Sequence, residues 1–129
     1  MKRLLVLVLS LALTAAACTD STGPGDSLAG TYQLESVNGA SLPVTICGQG
    51  PCYDILSADI TLFSNGRYQS TNRYRDGTES ADGTWLLSGN NLALIDSFDG
   101  YESYATVSGR RLTFSVPSGN GFYTAVYSR

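Results

Sequence analysis

Residues 60–68 read Ile60-Thr61-Leu62-Phe63-Ser64-Asn65-Gly66-Arg67-Tyr68 and show the pattern that decides the fold. Apolar and polar side chains alternate up to Leu62, as in a strand with one buried face. Asn65-Gly66 then supplies the positive φ angles that a tight hairpin turn requires. A second alternating run begins at Arg67, so the stretch predicts two antiparallel strands joined by a short turn.

The same pattern recurs along most of the chain. Short runs rich in Val, Ile, Thr, Tyr and Phe are separated by Asn-Gly, Asp-Gly and Ser-Gly, with almost no helical window between them. A chain this short removes exposed sheet edges most simply by closing the sheet. We therefore predict an all-β fold, a small antiparallel up-and-down barrel of eight or nine strands, with a two-sheet β-sandwich as the alternative. The predicted strands are 31–37, 42–47, 57–63, 67–75, 83–87, 91–96, 101–107, 110–116 and 122–127.

The alternation within each run also predicts which side chains face the interior. Trp85, the single tryptophan, is predicted to be an aromatic residue that plugs the barrel. A register error of one residue would reverse the assignment for a whole strand. The other predicted inward residues are Tyr32, Leu34, Ile60, Leu62, Leu92, Leu94, Leu112, Phe114, Val116, Phe122, Thr124 and Val126.

Two predicted strands, 67–75 and 101–107, carry mixed polar and aromatic faces. If these faces point inward, the barrel has apolar walls with a few polar groups, which is the chemistry of a ligand cavity. If they point outward, they are ordinary surface, and the barrel is filled with side chains. The candidate cavity residues are Tyr68, Ser70, Asn72, Tyr74, Tyr101 and Ser103, and the tyrosines predicted to be exposed for protein contacts are Tyr104, Tyr123 and Tyr127.

The first seventeen residues have the composition of a cleavable export signal. Lys2 and Arg3 form a basic start, residues 4–13 form an apolar run too short for a permanent membrane helix, and Ala15-Ala16-Ala17 fits a cleavage site. The predicted organisation is a signal peptide over 1–17, a polar tether over 18–27, and a β-barrel domain over 28–129.

Ala16-Ala17-Cys18 resembles the lipobox of bacterial lipoproteins, with Ala15 where that family usually has Leu. The resemblance implies that Cys18 becomes an acylated N-terminus, carrying chains such as palmitate, and that the protein is anchored to a membrane of the cell envelope. Thr19 stands where an Asp would be found in lipoproteins kept at the inner membrane. By that resemblance we expect the outer membrane of a Gram-negative bacterium. The alternative is a secreted or periplasmic protein.

The other two cysteines, Cys47 and Cys52, enclose Gly-Gln-Gly-Pro. Because an exported chain meets an oxidising compartment, a disulfide that staples this loop is the expected state. A redox switch is the alternative, although the spacing is not Cys-x-x-Cys. A metal site is disfavoured, because two thiolates without histidine make only half a site.

Charge and composition argue against several classes of function. After the predicted signal, six arginines stand against eleven acids, a net of about −5, so no basic surface remains for nucleic acid. The chain has no histidine, which removes the commonest general base. The densest acidic group is Asp96, Asp99 and Glu102, where turn chemistry competes with a carboxylate pair or a calcium site. We predict no enzyme, no catalytic residue, no metal and no cofactor.

The run Leu28-Ala29-Gly30-Thr31-Tyr32-Gln33-Leu34, followed by Val37-Asn38-Gly39 and Leu42-Pro43, resembles the opening of bacterial lipocalin-like lipoprotein domains. Residues 60–68 and the Gly83-Thr84-Trp85 stretch fit the later hairpins of such domains. The resemblance implies a lipocalin-like barrel. We predict that the barrel binds a small apolar or amphipathic ligand. The alternative is an envelope protein with a packed barrel that contacts other proteins and holds no ligand.

Overall fold

The computed structural model describes residues 28–47, 50–118 and 121–129, so the predicted signal, Cys18 and the predicted tether lie outside the described residues. Most of the described chain forms β-strands. They are β1 Gly30–Val37, β2 Ala40–Ser41, β3 Val44–Ile46, β4 Tyr53–Leu62, β5 Arg67–Tyr74, β6 Gly77–Ser88, β7 Asn91–Asp96, β8 Glu102–Ser108, β9 Arg111–Ser118 and β10 Gly121–Ser128.

Eight of these strands form one closed antiparallel barrel. Neighbouring strands pair in the order β1, β10, β9, β8, β7, β6, β5, β4, and β1 then pairs with β4 to close the ring. The closing ladder runs from Gly30↔Leu62 to Gln33↔Asp59. The prediction of a small antiparallel barrel is confirmed, and the two-sheet sandwich is not formed because all the strands belong to one sheet.

The two short strands fill the place where β1 and β4 separate. Beyond Gln33, β1 leaves β4 and pairs with β2, whereas the first residues of β4 pair with β3. Asn38 and Gly39 have φ angles of 49° and 78°, so the predicted Asn-Gly turn joins β1 to β2. The described part of the chain thus has ten strands, of which eight form the barrel.

The predicted disulfide is present. Cys47 follows β3 and Cys52 precedes β4, and their sulfur atoms are bonded with the two Cα atoms 4.2 Å apart. The bond closes the β3–β4 hairpin at the end of the barrel that contains the β1–β2 turn and the β7–β8 loop. We call this the upper end, and the lower end is the one where β1 begins and β10 ends.

The lower half of the barrel is filled with side chains. Tyr32 is fully buried there, and Trp85, which is 7% exposed, donates a hydrogen bond from Nε1 to the carbonyl oxygen of Phe63 at 2.9 Å. The prediction that Trp85 plugs the barrel is confirmed. Arg129 covers the lower end, with its guanidinium carbon 5.2 Å from the centre of the Tyr32 ring. The other side chains with almost no exposure are Leu62, Leu92 and Leu112.

The prediction for the last strand was wrong by one residue. In β10 the inward side chains are Tyr123, Ala125 and Tyr127, whereas Phe122 is 72% exposed. Ala125 pairs with Phe114 and Tyr127 pairs with Leu112, so these residues share the inward face of β9. The predicted inward residues Thr124 and Val126 lie on the other face, and Tyr123 and Tyr127 are interior residues, not exposed contact residues.

Candidate ligand-binding cavity

The upper half of the barrel encloses a cavity of about 560 Å³. All eight barrel strands contribute side chains to its wall. A volume of this size lies within the range of roughly 300–1,000 Å³ that is usual for small-molecule sites. The barrel is therefore filled with side chains in its lower half and hollow in its upper half, so it is neither fully packed nor fully empty.

All six candidate cavity residues named from the sequence lie on the wall of this one cavity. Tyr68, Ser70, Asn72 and Tyr74 alternate along β5 and face inward, because their partners on β4 are buried residues of the barrel interior. Tyr68 is buried at the lower limit of the cavity, whereas Tyr74 is half-buried near the upper end. The remaining two, Tyr101 and Ser103, lie immediately before β8 and near its start.

The opposite wall is mostly apolar. Phe114 of β9 packs edge-to-face on Tyr127 of β10, with 5.5 Å between ring centres. Tyr53 and Tyr74 make a similar edge-to-face contact at 5.3 Å near the upper end. The sequence prediction did not assign Tyr53, Tyr123 or Tyr127 to the cavity. The prediction missed Tyr123 and Tyr127 because it set β10 one residue out of register. A strand face of tyrosine and alanine gives only a weak apolar signal. The aliphatic residues of the wall are Leu34, Val37, Ile55, Ala58, Ile60, Ala81, Leu94, Val116 and Ala125.

The barrel wall is open between the upper parts of β8 and β9. Pairing between these strands ends at Ala105↔Phe114, and among the described residues no ladder joins 102–104 to 115–118. Pro117 lies in this part of β9, in keeping with the confinement of proline to strand edges. Exposed side chains on either side of the opening also line the cavity, which therefore reaches solvent here; they are Glu102, Tyr104 and Ser115.

Aromatic side chains surround the upper end. Phe98, in the β7–β8 loop, is 96% exposed, and Tyr101 and Phe122, also at the upper end, are more than half exposed. The loop itself is held by its acids. Asp96 Oδ1 accepts a hydrogen bond from the Phe98 amide at 2.7 Å, and Asp99 Oδ1 accepts one from the Tyr101 amide at 2.8 Å.

The third acid of this group, Glu102, accepts a hydrogen bond from the hydroxyl of Tyr104. This hydrogen bond raises the pKa of Tyr104. Asp96 and Asp99 thus act as loop-capping side chains, in agreement with the turn interpretation of the sequence. Over residues 28–47, 50–118 and 121–129, no three His, Cys, Asp or Glu side chains come together in a group that could hold a metal ion.

The cavity phenols are held in the protonated form. Burial raises the pKa of Tyr68, with the negative charge of Asp96 as the next cause. Burial, followed by the carboxylate of Glu79, raises the pKa of Tyr74 to about 12. Burial also raises the pKa values of Tyr123 and Tyr127. The wall therefore presents neutral hydroxyl groups that can donate or accept hydrogen bonds.

Comparisons with known proteins give the chain distant structural neighbours and no sequence family. No protein-family model matches it, and no curated protein matches it significantly. A lipocalin-like protein from Bacteroides uniformis is 16% identical with a TM-score of 0.49, over 80% of this chain and 98% of that one. Fatty-acid-binding protein 1 of Echinococcus granulosus is 11% identical with a TM-score of 0.42, over 81% of this chain and 98% of that one. At these values the neighbours do not indicate what this chain binds.

No helix within the described residues is both long enough and apolar enough to cross a membrane.

Proposed function

We propose that this chain is a binding protein that holds a small apolar or amphipathic molecule inside its barrel. The observation that carries the proposal is the open cavity of about 560 Å³, with aliphatic walls and a few polar groups. A well-packed barrel of this size would fill its interior with side chains. Here Ser70 and Asn72 of β5 and Ser103 of β8 occupy inward positions, and these side chains are too small to fill the upper half.

The distribution of wall chemistry supports an amphipathic ligand. The lower part of the cavity is bounded by apolar side chains such as Ile60, Leu94 and Phe114, where an alkyl or ring system would be removed from water. Polar groups lie nearer the upper end, where Asn72, Ser103 and the Tyr74 hydroxyl could bond a polar head. Binding alone accounts for this arrangement, and we assign no catalytic step to it.

Filling the cavity should weaken binding without unfolding the barrel. Ser70 is half-buried on the wall beside Ile60 and Ala81, so Ser70→Trp places a large ring in empty space. We expect this change to weaken the binding of the neutral fluorophore Nile red by about tenfold or more. Fluorescence titration of the chain carrying Cys18→Ser, which prevents acylation, provides the measurement.

The matched control is Gln69→Trp, which puts the same ring on the outer face of the same strand. This variant should bind Nile red as the parent does, and circular dichroism should show both variants folded. Equal affinities for the parent and the Ser70→Trp variant would mean that the dye binds elsewhere, and absence of dye binding to the parent would remove the proposal.

We further propose that the barrel is held at the cell envelope by acyl chains on Cys18. The support is the sequence pattern of residues 1–17 and the resemblance of Ala16-Ala17-Cys18 to a lipobox. Expressed in a Gram-negative bacterium, the chain should partition with membranes, and Cys18→Ser should release it into the soluble fraction. Replacing Cys47 and Cys52 by serine serves as the control and should leave membrane association unchanged. Membrane association of the Cys18→Ser variant would contradict the anchor.

Contact with an envelope protein is the second candidate function. The observation in its favour is the set of exposed aromatic side chains at the upper end, Phe98, Tyr101 and Phe122. Aromatic residues supply much of the binding energy of protein interfaces. The dye titration separates the two candidates, because a contact surface at the rim does not require the interior of the barrel to bind anything.

A further inference from the structure

The cavity wall carries no positive charge. None of the side chains that line it within the described part of the chain is Lys, Arg or His. The sequence explains why, because the chain has no histidine and its only lysine is Lys2. Only an arginine could therefore neutralise an anionic ligand from inside the barrel.

The arginines of the barrel are all engaged elsewhere. Arg67, Arg73, Arg75 and Arg111 pair on the outer surface with Asp82, Asp59, Asp54 and Glu35, at N···O distances of 2.8–3.1 Å. Arg110 Nε donates to the carbonyl oxygen of Arg129 at 2.7 Å. Arg129 Nη1 in turn donates to the carbonyl oxygen of Ala29 at 2.6 Å, at the closed lower end.

Negative charge, in contrast, lies on the wall. Asp96 has the same strand parity as the buried Leu92 and Leu94, so its carboxylate faces the interior at the upper end of β7. Glu102 lines the opening between β8 and β9. Within the described residues no arginine lies within salt-bridge distance of either carboxylate. The field of Asp96 extends into the cavity, because its charge contributes to the raised pKa of Tyr68.

Aromatic rings complete this environment. Tyr53, Tyr68, Tyr74, Tyr101 and Tyr123 line the cavity together with the two acids. The face of an aromatic ring attracts a cation, and a cage of such rings is a known way of binding quaternary ammonium groups. A carboxylate or phosphate placed in the same position would lose its hydration and meet like charges, with no positively charged side chain on the wall to compensate them.

From this we infer that the cavity takes a cationic amphiphile, an amine or quaternary ammonium with an apolar body, and discriminates against anionic ones such as fatty acids. The apolar body would lie against β4, β7 and β9, and the ammonium would lie at the upper end near Asp96 and the tyrosine rings. This inference rests on the proposed binding function. The net negative charge of the chain also favours the approach of a cationic ligand over an anionic one.

A set of three ligands with the same alkyl chain tests the inference. The full chain carrying Cys18→Ser is loaded with Nile red, which is displaced by dodecyltrimethylammonium, dodecanol or dodecanoate below their micelle-forming concentrations and at mildly alkaline pH. We expect the ammonium compound to bind about tenfold or more tightly than dodecanoate. The carboxylates of Asp96 and Glu102 attract the ammonium group and repel the dodecanoate carboxylate. Dodecanol should fall between them.

The Asp96→Asn and Glu102→Gln variants test whether the preference for the ammonium compound comes from these two acids of the cavity wall. Asn keeps an oxygen that can accept the Phe98 amide hydrogen bond, so the loop is retained while the charge is lost. The preference for ammonium over carboxylate should fall in either variant and fall furthest in the double variant. Glu35→Gln is the control, because it changes net charge equally on the outer surface, where Glu35 pairs with Arg111.

The outcomes separate the two proposals. If Nile red does not bind, or none of the three compounds displaces it, the binding function itself fails. If dodecanoate binds as well as the ammonium compound or better, the binding function stands and the charge inference is wrong. A preference that survives unchanged in the double variant, or falls equally in Glu35→Gln, would overturn the assignment to Asp96 and Glu102.

Discussion

Replacing Tyr32 with alanine should lower the free energy of unfolding by about 4 kcal/mol, the range expected when a buried aromatic side chain is deleted. Tyr32 has no exposed surface, and its hydroxyl donates a hydrogen bond to the carbonyl oxygen of Leu28 at 2.8 Å. The Arg129 guanidinium group lies over its ring. The deletion would therefore leave a cavity in the packed lower half and remove the surface on which Arg129 lies.

Urea denaturation monitored by Trp85 fluorescence provides the measurement, because Trp85 is buried in the same half of the barrel. Tyr32→Phe separates the ring from the hydroxyl group and should cost about 1 kcal/mol, the usual net contribution of one hydrogen bond. Tyr104→Ala is the control, since Tyr104 is 59% exposed, and it should change the stability little. A Tyr32→Ala variant as stable as the Tyr104→Ala variant would contradict the account of the lower half.

Gly83→Ala should lower the free energy of unfolding by about 3 kcal/mol, because β6 and β7 approach each other too closely at this point for a side chain. A Cβ atom at position 83 would lie 1.9 Å from the carbonyl oxygen of Ile95 and 2.8 Å from the Tyr68 ring. Backbone cannot move away as the end of a side chain can, so the two strands must shift. Because Tyr68 is a wall residue, the variant should also bind Nile red less tightly.

Gly50→Ala is the matched control for this substitution. A Cβ atom at Gly50 meets nothing within 4 Å, and its φ angle is not in the left-handed region. We expect its stability to differ from the parent by no more than about 0.5 kcal/mol. Thermal unfolding followed by circular dichroism compares the two variants. Equal unfolding temperatures for Gly83→Ala and Gly50→Ala would show that the strands have room to adjust.

The hairpin turns explain how much of the fold the sequence could predict. Asn38-Gly39 has positive φ at both residues, whereas in Asn65-Gly66 only Gly66 has a positive φ, of 86°. Each pair still marks the position of a turn, and the strands on either side follow from alternation. The run 77–82 was missed because Thr78, Glu79, Ser80 and Asp82 carry no apolar face, although the structure extends β6 back to Gly77. Periodicity detects only strands that have a contrast between their two faces.

The error in β10 had a single geometric source. The prediction placed the final turn at 117–121, which would pair Val116 with Phe122 and turn Phe122, Thr124 and Val126 inward. The ladder instead continues to Gly121↔Ser118, so Val116 pairs with Tyr123. A shift of one residue exchanges the two faces of a strand, and here it moved two tyrosines from the surface to the cavity. Alternation alone could not choose between a Phe-Thr-Val face and a Tyr-Ala-Tyr face.

The mixed faces of β5 and β8 posed a different problem, since a polar residue on a strand suits water outside a barrel as well as a ligand within it. Only the register of β5 against the buried Ile60 and Ala58 of β4 orients Ser70 and Asn72 toward the interior. Side-chain size then decides whether the interior is filled. That decision depends on eight strands at once, so no single segment of the sequence contains it.

The separation of a solid lower half from a hollow upper half has a consequence for how such a protein can change over generations. The residues that hold the barrel together, Tyr32, Trp85 and Leu112 among them, are not the residues that would select a ligand at the rim. Substitutions around Ser70, Asp96 or Ser103 can therefore accumulate without a compensating change below. The scaffold is free to acquire a new ligand while its fold stays the same, and a protein engineer could use the same freedom.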